Sequence, residues 1–159
     1  MAGEGPMSTT SSEPSIPPES HFRKLEHLYA GAPINDFYRP VLKISAGRAE
    51  LEIEIGNRMH HAAAAVHGSV YFKALDDAAF FAANSLVEEH LVLTSSFTLY
   101  LLQPVVEGKL RAVGRVIHRT GRLFFAEAEL EDQDGSPLAR GSGTFMRSKI
   151  ELTPEIGYR

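Results

Sequence analysis

From Arg48 to Ile55 apolar and charged side chains alternate without a break, Ala49, Leu51, Ile53 and Ile55 to one side and Arg48, Glu50, Glu52 and Glu54 to the other. A period of two predicts a strand with one buried face. The same alternation predicts strands over 110–119, with Leu110, Ala112, Gly114, Val116 and His118 inward, and over 123–131, with Phe124, Ala126, Ala128 and Leu130 inward. A fourth, over 138–147, sets Ala139, Gly141, Gly143 and Phe145 against Arg140, Ser142, Thr144 and Met146. Residues 91–102, rich in Leu, Thr, Val and aromatics, predict a further strand ending at Gln103-Pro104. Thr120-Gly121 and Asp134-Gly135 suit tight connections, so the last three strands are expected to form an antiparallel meander.

Two segments carry the helical period instead. Phe22, Leu25, Leu28 and Tyr29 predict a short helix with one apolar stripe, stopped at Gly31. Residues 68–87 contain no proline and are apolar almost all round, interrupted only by Lys73, Asp76, Asp77, Asn84 and Ser85. That is the pattern of a buried helix. The inward faces of the strands are small at Ala112, Gly114, Ala126, Ala128, Ala139, Gly141 and Gly143, which lets something thick come close. The buried helix is the thickest candidate. The expected fold is therefore α+β, a curved antiparallel β-sheet wrapped around one long central helix.

Composition narrows the chemistry. The 159 residues carry a net charge of −4 and no cysteine, which excludes disulfide scaffolds, thiolate metal sites and a Cys nucleophile. Residues 1–20 are Ser-, Thr-, Pro- and Glu-rich and read as a disordered N-terminal tail. One domain is expected over 21–150, followed by a C-terminal extension, 151–159. The acidic total argues against nucleic-acid and anionic-membrane partners. Neither a membrane span nor a secretory signal is visible, and the chain is expected to be cytoplasmic. Charge is uneven: residues 1–90 hold 7 basic and 12 acidic side chains, residues 105–149 hold 8 and 6, and residues 91–104 none.

Within the buried helix, Asp76 and Asp77 each need a cation, hydrogen bonds, water or a function. Lys73 is three residues from one and four from the other, and can satisfy only one of them well. At the helix entry, the N–H groups of Gly68, Ser69 and Val70 are expected to be free first-turn donors, suited to an anion or a polarised carbonyl oxygen. The plainer alternative makes Ser69 a cap. His60, His61 and His67 lack the spacing of a metal site, so no metal and no cofactor are expected. His118 is expected in the core or an interface. Arg111, Arg115 and Arg119 share one face and suit cross-strand pairing with Glu127, Glu129 and Glu131, or contact with a polyphosphate.

The stretch VHGSVYFKALDDAAFFAANS resembles the helix signature of the hotdog-fold acyl-CoA thioesterases of the phenylacetyl-CoA thioesterase (PaaI) type. In that family His-Gly-Gly opens the central helix, and an acid nine residues after the His carries the chemistry. The resemblance runs from about residue 22 to 148 and implies the hotdog fold. It implies an acyl-CoA substrate, with Asp76 as catalytic general base or nucleophile and the Gly68 N–H polarising the thioester oxygen. His61 stands where the family has Asn or Gln, and Thr94, ten residues before Pro104, where a Ser or Thr holds the attacking water. His67 and Ser69, the latter replacing the second Gly, fall to substrate binding, and Asp77 is left to Lys73. Arg111, Arg115, Arg119, Arg122 and Arg147 are candidates to meet the CoA phosphates. The family also implies a homodimer or homotetramer with sites shared between subunits. The departures at His61 and Ser69 keep a non-catalytic acyl-CoA-binding protein as the alternative; a hotdog dehydratase is less favoured, since it uses a His with a partner acid in a different motif.

Overall fold

The computed structural model describes residues 15–159. Of the segment expected to be a tail, residues 1–14 lie outside the described residues, while Glu19 and Ser20 already belong to α1 (Glu19–Ala30). Phe22, Leu25 and Tyr29 form its buried stripe, and Gly31 caps it with an ordinary right-handed backbone. A single turn, α2 (Asn35–Tyr38), follows.

Six strands make one antiparallel sheet: β1 (Val41–Ser45), β2 (Arg48–Glu54), β3 (His90–Leu101), β4 (Lys109–Thr120), β5 (Leu123–Glu131) and β6 (Pro137–Glu151). Their spatial order is β1-β2-β4-β5-β6-β3. The expected meander is β4-β5-β6, and β3 adds antiparallel to β6, its other edge unpaired among the described residues. The central helix α3 (Gly68–Asn84) packs against β2, β3, β4, β5 and β6, so the sheet curves around it in the expected hotdog arrangement.

The small inward residues serve two purposes. At Gly114 a Cβ would stand 2.2 Å from the Ala78 carbonyl oxygen, so α3 rests its backbone directly on β4. At Gly141 and Gly143 the space is taken by the Phe97 ring of β3, not by the helix. Phe97 is an inward side chain of the edge strand, and its ring meets both Phe72 of α3 and Phe145 of β6.

Two expectations need correction, and two elements come in addition. α3 stops at Asn84, not at residue 87, because Asn84 and Ser85 are fully buried and turn their side chains to local backbone. The Asn84 amide donates to Val87 and His90 carbonyls and its oxygen accepts the Val92 N–H, while the Ser85 hydroxyl donates to the Ala82 carbonyl. Such bonds compete with helix continuation. His118 is exposed, not inward, because a register shift between Val116 and His118 breaks the alternation of β4. The additional elements, β1 and α2, are ones the periodicity did not single out. At the other end, β6 continues through Glu151 and the residues after it fold onto α1, where the Tyr158 hydroxyl meets His21 Nδ1 at 2.7 Å.

Candidate active site

Gly68, Phe72 and Asp76 are spaced by four residues and so share one face of α3. The sheet and α1 cover the other faces; on this one Phe72 remains 41% exposed. An aromatic ring left open in the middle of an otherwise buried helix marks the part of α3 that its own sheet does not enclose.

The entry to α3 differs in detail from the expectation of three free donors. His67, not Ser69, is the N-cap: its Nδ1 accepts the Ser69 N–H at 3.1 Å and meets the Ser69 hydroxyl at 2.8 Å. The Val70 N–H is taken by the His67 carbonyl at 3.0 Å. Among the expected donors only the Gly68 N–H keeps no acceptor within the described residues. Gly68 borders a cleft of about 330 Å³, together with His61, Tyr71, Leu101, Gln103 and Pro104 among others. His61 reaches this cleft from an exposed loop and uses its Nδ1 to accept the Ala63 N–H at 3.0 Å. The neighbouring His60 turns elsewhere, to the Val106 carbonyl. Among the described residues no three His, Asp or Glu side chains gather closely enough to hold a metal ion.

Two turns further along α3 lies Asp76. Thr94 of β3 donates its hydroxyl to Asp76 Oδ1 at 3.1 Å, with Oδ2 at 3.4 Å. Burial pushes the Asp76 carboxyl up to about 6; the Asp77 charge raises it too, while the Thr94 hydrogen bond and Lys73 pull it down. The cleft around it, about 310 Å³, has an apolar wall that includes Leu28, Ile34, Phe80, Phe81 and Leu93. A carboxylate in such surroundings, with a hydroxyl as its hydrogen-bond partner, is set to exchange a proton near neutral pH.

Asp77 faces different company. Lys73 Nζ lies 2.5 Å from its Oδ2, and the Tyr29 hydroxyl donates to the same oxygen at 2.5 Å. Lys73 is thus committed to Asp77, as the spacing allowed. Burial, then the Asp77 charge, raise Tyr29 far above the ordinary phenol value, so it remains a donor at every working pH. Tyr29 and Phe72 carried no chemical signal in the sequence: each occupies an ordinary apolar position of a helical stripe, and only the packing shows what they border.

The structure brings Thr94 to Asp76, and His61 to Gly68, but keeps the two pairs apart. Eight residues separate Gly68 from Asp76, about 12 Å of helix, and each borders its own cleft. None of the five expected phosphate-binding arginines lines either cleft. Arg111 is held by Glu131, one of the cross-strand partners read from the sequence, and also by Glu50 of β2, which that reading did not include. Arg115 stands opposite Arg48 and Glu127, Glu129 pairs with Arg140 instead, and Arg122 donates to the Arg147 carbonyl.

Residues 63–139 match the family model of the thioesterase superfamily. Among solved structures the chain is similar to the Escherichia coli PaaI protein from the phenylacetic acid degradation operon, with a TM-score of 0.77, 19% identity, and coverage of 84% of this chain and 97% of that one. A thioesterase family protein from Silicibacter pomeroyi superposes with a TM-score of 0.73 at 26% identity over 80% of this chain and 97% of that one. A curated Saccharolobus solfataricus protein, whose name proposes an esterase, is 22% identical over 135 residues, 84% of this chain and 93% of its own length.

Proposed function

We propose that this hotdog-fold chain, matched over residues 63–139 by the thioesterase superfamily model, is a thioesterase of that superfamily and hydrolyses acyl-CoA thioesters to the free acid and coenzyme A, with Asp76 as general base at a site completed by a second copy of the chain. The observation that carries the reading is Asp76 itself, a carboxyl raised to about 6 by burial and held by Thr94 beside an apolar cleft. The cleft suits the acyl group, and the oxygens of Asp76 and Thr94 suit one water between them.

In the reaction, Asp76 takes a proton from that water as its oxygen attacks the thioester carbon. The carbonyl oxygen becomes an oxyanion and accepts the Gly68 N–H at the helix start, where aligned peptide dipoles favour negative charge. The intermediate collapses, the carbon–sulfur bond breaks, and the departing CoA sulfur recovers the proton from Asp76. The products are the carboxylic acid and the free thiol, and the base is regenerated.

The need for a second copy follows from distance. About 12 Å of helix lies between Gly68 and Asp76, too far for both to act on one carbonyl. The open face of α3 adjoins the unpaired edge of β3, where Leu93 and Leu101 are also exposed. Two chains related by a two-fold axis across that face would set Asp76 of each against Gly68 of the other. The assembly is then a homodimer, or a homotetramer of such pairs.

A panel of acyl- and aryl-CoA thioesters, followed by release of free thiol, tests the activity. Asp76→Asn is expected to lower kcat by about 10²–10⁴-fold, the usual contribution of a general base; full activity in that variant would refute its role. Tight acyl-CoA binding with no turnover of any thioester would establish the non-catalytic alternative. Mixing inactive Asp76→Asn and Gly68→Pro chains tests the shared site, because each mixed dimer regains one intact site. No recovery on mixing would place the whole site within one chain.

A further inference from the structure

A third cleft, of about 380 Å³, opens between α2 and the segment after β2, with Phe37, Tyr38, Arg39, Glu54, Arg58 and Met59 in its walls. Building on the acyl-CoA reading above, we infer that this cleft binds the phosphorylated adenosine end of coenzyme A, with Arg39 and Arg58 on its phosphates and the Phe37–Tyr38 pair beside its base.

The first reason is uncommitted charge. Among the described residues, ion pairs engage Arg23, Arg48, Lys73, Lys109, Arg111 and Arg140, but neither Arg39 nor Arg58. Both are exposed and border the same cleft, against one carboxylate, Glu54, which is also in no ion pair. Two arginines lining one cavity suit a ligand with several phosphate oxygens, which guanidiniums can bind in bidentate fashion.

The second reason is shape. The Arg58 guanidinium lies 4.2 Å from the centre of the Phe37 ring, and Phe37 meets Tyr38 edge-on at 4.9 Å. The contact holds the Arg58 guanidinium beside the cleft, and Phe37 and Tyr38 are only partly buried, so aromatic side chains of the kind a purine base packs against line its wall.

The third reason is the backbone at Arg39. It adopts φ 48°, ψ 49° as the C-cap of α2, directly before Pro40. Glycine is the least strained residue for a left-handed helix cap, and a following proline makes helical conformations of either hand more costly. A long cationic side chain stands where the backbone would be better served by none.

Position links the cleft to the candidate site. Tyr38 lies under Lys73, whose Nζ is 5.3 Å from its ring centre, and Lys73 lines the Asp76 cleft. At the other side the Met59 carbonyl accepts the His67 N–H at 2.9 Å, one residue before the Gly68 donor. The cleft therefore borders both halves of the site, and the pantetheine arm can pass from it to either.

The experiment compares one acyl group on coenzyme A and on N-acetylcysteamine, which keeps the thioester but lacks the nucleotide, and titrates adenosine 3′,5′-bisphosphate by calorimetry. Arg39→Gln and Arg58→Gln are each expected to reduce the kcat/KM preference for the CoA ester about tenfold, the weight of one charged hydrogen-bond pair, and to weaken bisphosphate binding in step. Arg39→Gly should raise the melting temperature while weakening binding, opposite signs that a merely structural residue would not give. Glu54→Gln should tighten bisphosphate binding. An unchanged preference for the CoA ester in both arginine variants, or no bisphosphate binding by the wild type, overturns the inference. If neither thioester is hydrolysed, the proposed activity fails and the calorimetric arm decides the cleft by itself.

Discussion

Replacing Gly68 with proline is a nearly surgical way to remove one hydrogen atom. Gly68 is the first residue of α3, where proline is favoured because the N–H has no intrahelical partner. Its predecessor, His67, already has φ −66° and ψ 142°, the extended conformation that a following proline requires. A Cβ at position 68 would find only Leu101 Cδ1, at 3.5 Å, an ordinary contact. The substitution should therefore leave the fold intact, with stability unchanged or raised by up to about 1 kcal/mol through the stiffer unfolded chain. It nevertheless deletes the free N–H assigned to the oxyanion and puts a methylene in its place. Loss of one such donor costs about 10²–10³ in kcat, or about 3–4 kcal/mol of transition-state stabilisation. The assay is thiol release at saturating acyl-CoA, paired with urea denaturation followed by circular dichroism at fixed protein concentration. A folded Gly68→Pro variant with wild-type kcat would show that the oxyanion lies elsewhere. Loss of the fold would instead refute the described helix entry.

Other substitutions read the carboxylates and the packing. A carboxyl at about 6 in the fold and 3.8 in the unfolded chain makes stability fall as pH rises from about 4 to about 6, by about 3 kcal/mol in all; Asp76→Asn should be more stable than wild type by about that much at pH 7 and by nothing below about pH 4, in urea titrations at both pH values. Thr94→Val removes the hydrogen bond that holds Asp76 down, so the acid limb of the kcat/KM profile should move to higher pH; an unmoved limb would separate Thr94 from the base. Lys73→Met leaves Asp77 with only the Tyr29 hydroxyl and should cost about 2–4 kcal/mol, again by urea denaturation, while raising the same acid limb by removing a cation near Asp76. Gly114→Ala forces a Cβ to within 2.2 Å of the Ala78 carbonyl, and the helix must move to accept it; a loss of about 3 kcal/mol or more is expected.

The sheet was readable wherever a strand is long and half buried. In β2 the residues Ala49, Leu51 and Ile53 are fully enclosed while the glutamates between them face out, so the period of two is unbroken. β1 offers only Leu42 and Ile44 to the core over five residues, too short a pattern to stand out from its surroundings. His118 was misplaced because one irregular position inverts every later side chain of a strand, and nothing in the residue types announces it. At the helix start the sequence shows which groups have no helical partner but not which neighbour will take them. His67 took two of the three expected donors, and that reduction to one N–H sharpens the candidate site more than it weakens it. Asp76 stands out as a carboxylate in a buried helix and Thr94 through the family resemblance, whereas Arg39 and Arg58 lie outside any motif and meet only at the cleft between α2 and the segment after β2.

Two adjacent aspartates on one helix end in opposite chemical conditions, and the curvature of the sheet explains why. β4 meets α3 backbone to backbone at Gly114, so the sheet closes tightly on that side of the helix, while the face carrying Phe72 stays partly open. Asp77 turns toward α1, where Lys73 and Tyr29 neutralise it, and its burial is then a structural matter. Asp76 turns toward the edge strand, where its one hydrogen-bond partner among the described residues is the Thr94 hydroxyl and much of the wall is apolar. Moving Lys73's charge from one to the other would relieve Asp76 and leave it a weaker base. The unpaired member, on the open face of α3, is the one available to a substrate.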